Sequence, residues 1–71
     1  MAALKGPSVA AERLKAFIGH DVFVRLAEGE PLVGKLLDCY PLGGAYFLAL
    51  DLGKEDRLVQ TTFVLELRRL T

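Results

Sequence analysis

The sequence predicts a mainly β fold, with one N-terminal helix followed by five short strands curled into a small open barrel. Three observations carry this reading. Residues 21–44, DVFVRLAEGEPLVGKLLDCYPLGG, hold two period-2 runs joined at a tight corner. Further apolar runs follow, each bounded by glycine, proline or charged turn residues. With 71 residues in all, the chain is one domain near the lower size limit for a core that has neither disulfide nor metal.

Taken in order, residues 1–7 show no periodicity and read as a loose arm. Ser8 is a suitable N-cap, and Ala10, Leu14, Phe17 and Ile18 form one helical stripe, with Glu12, Arg13 and Lys15 on the wet side. Gly19 follows the stripe and can close it, so the spacing predicts a three-turn helix over 8–18 laid on a sheet. The barrel then occupies 21–70. In its first strand Val22, Val24 and Leu26 alternate with Phe23, Arg25 and Ala27. Ala27-Glu28-Gly29-Glu30 turns the chain, with Gly29 at the positive-φ position, and the second strand opposes Leu32, Gly34 and Leu36 to Val33, Lys35 and Leu37. Gly34, lacking a side chain, lets this strand bend or another backbone approach it.

Tyr40-Pro41-Leu42-Gly43-Gly44 is turn chemistry. Residues 45–50 are almost wholly apolar, the pattern of a strand covered on both faces, and residues 51–56 make the next turn. A fourth strand runs from Arg57 to Gln60. Val64, Leu65, Leu67 and Leu70 mark a fifth beyond a break at Thr61-Thr62, although one bent strand would give the same pattern. A helix followed by five short strands is an SH3-like barrel in outline.

Composition narrows the functional classes. Nine basic and nine acidic side chains cancel, which removes the long-range attraction of a strongly basic nucleic-acid binder. Hydrophobic residues make up 52% of the chain, more than a globule of this size easily buries, so part of that surface is expected to meet another copy or a partner. Residues 39–50 form an uncharged run too short and too broken to cross a bilayer, and the N-terminus lacks a signal-peptide centre. With a single cysteine, Cys39, expected buried and inert, the reading is a cytoplasmic protein that contacts no membrane.

Catalysis is not expected. His20 has no second histidine with which to form a set, Asp21 no nucleophile, and Asp38, Asp51, Glu55 and Asp56 stand in or near turns without a partner group. No catalytic residue, metal ligand or cofactor site is assigned.

The run Val22-x-Val24-x-Leu26-x-x-Gly29, four residues, then Gly34-x-Leu36 resembles the first motif of the Sm-like proteins, which include bacterial Hfq. The short N-terminal helix and the chain length fit as well. The resemblance implies a five-stranded open barrel that forms a homo-hexameric or homo-heptameric ring and binds single-stranded RNA. Ring formation of that kind joins the edge of the fourth strand, with Arg57 and Val59, to the fifth strand of the next copy, with Phe63, Val64, Leu65 and Leu67.

The chain departs from the family where RNA is held. Tyr40 and Gly44 stand at the usual aspartate and asparagine, Leu42 at the stacking aromatic, Gln60-Thr61 at the second motif, and Ala16-Phe17 where an Hfq-like helix carries arginines. Tyr40, Leu42, Gln60 and Thr61 are therefore the expected RNA contacts of an atypical site, while Arg68 and Arg69 read as a solvated terminal pair, with phosphate contact as the alternative. The alternative is a ring of the same fold that serves as a protein scaffold and has lost RNA binding.

Overall fold

The computed structural model describes residues 3–5 and 11–71. Six strands form one antiparallel sheet: β1 (Ala3–Lys5), β2 (Asp21–Leu26), β3 (Leu32–Leu42), β4 (Ala45–Asp51), β5 (Asp56–Gln60) and β6 (Val64–Arg69). Their spatial order is β1-β6-β2-β3-β4-β5, so the sheet is open, with β1 and β5 at its two edges. Strands β2 to β6 are the five that the sequence predicts. A 3₁₀ turn, Thr61–Phe63, separates β5 from β6 and resolves the choice between two strands and one bent strand.

Alternation explains which residues turn inward. Val22 and Val24 face the core from β2, and their partners on β6 and β3 include Leu67 and Leu32. Leu36 and Cys39 from β3, Leu48 and Leu50 from β4, Val59 from β5, and Val64 and Leu67 from β6 complete the buried set, with Leu14 covering it. No polar or charged residue is buried among the described residues. A buried leucine or valine contributes about 1.5–3 kcal/mol, so nine such side chains, with Cys39, form a core despite the short chain.

The helix differs from expectation. It spans only Ala11–Lys15, and the start of the expected 8–18 segment, residues 8–10 with the Ser8 cap, lies outside the described residues. Beyond Lys15 the chain tightens: Ala16, Phe17 and Ile18 donate to the carbonyls three residues back, and Gly19 N–H donates to Leu36 O at 2.8 Å. The pairing demand of the sheet thus takes the backbone before a second helical turn can form. Leu14 is buried and Phe17 packs against the core, while Ile18 is left exposed.

The arm expected over residues 1–7 is also different in part, because Ala3–Lys5 pairs with β6 in the register Ala3↔Arg68, Leu4↔Leu67, Lys5↔Glu66. The physical reason is the row of unpaired N–H and C=O groups that β6 would otherwise present.

The corner before β3 has Gly29 at φ +85°, as its place in the turn requires. Gly34 faces inward, opposite Val22, where a Cβ would overlap the Asp51 carbonyl oxygen and approach Leu52 Cδ2 to 3.0 Å. Close approach of backbone is therefore what this glycine permits.

Two details of β3 and β4 depart from the sequence reading. Strand β3 runs on through Tyr40, Pro41 and Leu42, leaving only Gly43-Gly44 as the turn, with φ of +59° and +83°. Two successive positive φ values suit the twist of a two-residue hairpin, which the longer expected turn would not need. In β4, only Leu48 and Leu50 are buried, whereas Tyr46, Phe47 and Ala49 are partly exposed. One face of this strand is left open, because among the described residues no second layer lies on the outside of the sheet.

Candidate nucleic-acid interface

The register of the central strands assembles the site. Tyr40 on β3 is paired with Phe47 on β4, and Phe47 is paired with Gln60 on β5. Directly opposed residues share a face. The neighbouring row, Cys39↔Leu48↔Val59, is buried, so Tyr40, Phe47 and Gln60 form a row on the outer face.

A β-bulge positions the first of these. The pairing shifts between Leu36 and Asp38, leaving Leu37 as the extra residue. Leu36 and Cys39 both point inward, two outward residues stand between them, and Tyr40 consequently faces out. Strict alternation from Leu36 would have turned Tyr40 inward.

Leu42 lies two residues beyond Tyr40 on the same face, opposite Ala45, and is 55% exposed. Thr61 opens the 3₁₀ turn immediately after Gln60, and Gln60 Nε2 donates to Thr62 Oγ1 at 3.3 Å. Of the four residues expected to touch RNA, the fold thus aligns Tyr40 with Gln60 and Thr61 across one strand, with Leu42 at the hairpin end. Phe47 is the member that sequence reasoning missed. Its signal was the period-2 pattern inside 45–50, hidden by the uniformly apolar composition.

Along β5 an open groove with a volume of about 640 Å³ is walled by Leu26, Phe47, Leu58 and Phe63, with Glu28 and Arg57 at its polar margin. Arg57 pairs with Glu55, and Arg25 with Glu66 at 3.4 Å. Exposed pairs of this kind contribute little to stability, and they offset charge near the sheet surface. Arg68 is not beside the row: its guanidinium lies 4.6 Å from the centre of the Phe23 ring, on the β6–β2 side of the sheet. Arg69 is exposed on the same strand.

The residues expected at an oligomer seam divide sharply. Arg57 is exposed, Phe63 is 55% exposed and Leu65 39%, whereas Val59, Val64 and Leu67 are buried in the chain's own core. Their side chains belong to the chain's own core, and the Leu67 backbone is already paired with Leu4 on one side and Val24 on the other. Cys39 is buried, and Tyr46 Oη donates to its Sγ at 3.9 Å. Among the described residues no group of three or more His, Cys, Asp or Glu side chains is placed to hold a metal ion, and no helix is long and apolar enough to cross a membrane.

No family model, curated protein or solved structure matches the chain. The row offers two aromatic faces, one side-chain amide with donor and acceptor, and an adjacent hydroxyl. Such a set can stack on a base and bond its edge.

Proposed function

We propose that the chain is an Sm-like module that contacts single-stranded RNA through an atypical site formed by Tyr40, Phe47, Gln60 and Thr61. The observation that carries this reading is the paired row Tyr40↔Phe47↔Gln60 on the outer face. Stacking on one aromatic is worth about 1–3 kcal/mol per base in single-strand binders and does not select the base strongly. The neutral chain adds little long-range attraction, so binding is weak and lacks the uridine preference of the family.

Fluorescence anisotropy with labelled U-rich and A-rich oligonucleotides at about 0.1 M salt tests this, since phosphate contacts make binding fall with added salt. Weak retention of both RNAs, reduced by Tyr40→Ala, is the expected result. Tight U-selective binding would contradict the atypical site. Absence of binding to either RNA would favour the second reading, a protein scaffold, for which the exposed Leu58 and Phe63 speak.

A further inference from the structure

The two edges of the sheet are not equivalent. On one side β1 is paired with β6 at residues 66–68. On the other, β5 is last in the order, and its outer edge has no strand partner among the described residues. A ring that joins the β5 edge of one copy to the β6 edge of the next needs both edges bare. A sheet with one bare edge joins like to like, which is a two-fold arrangement that closes on itself.

We propose that two copies of this chain pair through their β5 strands, antiparallel about a two-fold axis at Leu58. The occupant is a second copy because the strand is complementary to itself in that register. Centred on Leu58, the pairing sets Asp56 against Gln60 and Arg57 against Val59, so no like charges meet and an amide donor faces a carboxylate acceptor. Residues 56, 58 and 60 share the outer face, the face of the Tyr40 row. Leu58, 48% exposed in the single chain, then packs against its own copy. Leu58 is one wall of the apolar groove, so pairing also covers part of that exposed apolar surface. The dimer does not depend on RNA binding, and its test reads mass alone.

Light scattering on the full chain at high micromolar concentration is expected to give twice the 7.8 kDa chain mass. Leu58→Lys places two ammonium groups together at the axis and should yield a folded monomer, because Leu58 is not part of the core. Mixing Leu58→Lys with Leu58→Glu should restore the double mass, since the axis then joins opposite charges. A monomeric parent chain overturns the proposal, as does a mass of six or seven copies, or a dimer that survives Leu58→Lys unchanged. RNA retention by a parent chain that proves monomeric would leave the nucleic-acid reading standing and remove only the dimer.

Discussion

Replacing Gly34 by alanine sets two opposing effects against each other, and the structure decides between them. Gly34 does not have a positive φ, so alanine fits the backbone conformation and should gain about 0.4–1 kcal/mol by narrowing the unfolded ensemble. Against this, the new Cβ overlaps the Asp51 carbonyl oxygen and meets Leu52 Cδ2 at 3.0 Å. Leu52 can turn aside, but the carbonyl belongs to the β3–β4 ladder, which pairs Lys35 with Asp51, and cannot yield without disturbing it. Overpacking of that kind costs about 1–3 kcal/mol, and Gly34→Val adds two methyl groups at the same place.

For a domain of this size, total stability is roughly 4–11 kcal/mol at the usual per-residue value. Each kcal/mol shifts the melting temperature by roughly 4–8 °C. Gly34→Val should therefore melt at least several degrees below the parent, with Gly34→Ala between them. Differential scanning calorimetry on the three proteins gives the answer. A melting temperature for Gly34→Ala equal to or above that of the parent would refute the claim that backbone approach is the reason for glycine.

Val64→Asp separates core from seam: with Val64 only 2% exposed, the carboxylate would be buried without a partner. Loss of the folded circular dichroism signal is expected rather than dissociation of a folded assembly. Gly44→Val forces a β-branched residue to φ +83° in the β3–β4 hairpin and should cost about 1–2 kcal/mol in urea titrations, although a Cβ there meets nothing within 4 Å. An unchanged midpoint would show that the turn relaxes to another conformation.

Most of the sheet was legible because its information is local. The alternation at Val22 and Val24, the turn at Gly29 and the close approach at Gly34 each needed only a few neighbouring residues to be read. What failed depended on partners distant in sequence. Ala16 to Ile18 read as helix closed by Gly19, yet the carbonyl of Leu36 takes the Gly19 N–H. Ala3–Lys5 carries no strand pattern of its own and is strand because β6 offers it an edge. Val59, Val64 and Leu67, expected at an oligomer seam, also give their side chains to the core, which strand periodicity alone does not reveal because it does not say which face is the interior. For the site, Tyr40 and Gln60 were legible as polar or aromatic residues at turn boundaries, but their alignment through Phe47 is a property of register, which no single strand encodes.

The extra residue in β3 makes length, rather than identity, the informative variable in that strand. Leu36↔Leu50 and Asp38↔Ala49 are successive pairs on either side of Leu37. Excising Leu37 would leave every later pair intact, with Cys39 still inward and Tyr40 still outward. What such a one-residue deletion removes is the local bend and added twist of a bulge. A chain shortened in this way would keep its inventory of facing residues while losing curvature, separating two properties of the sheet that point substitutions change together.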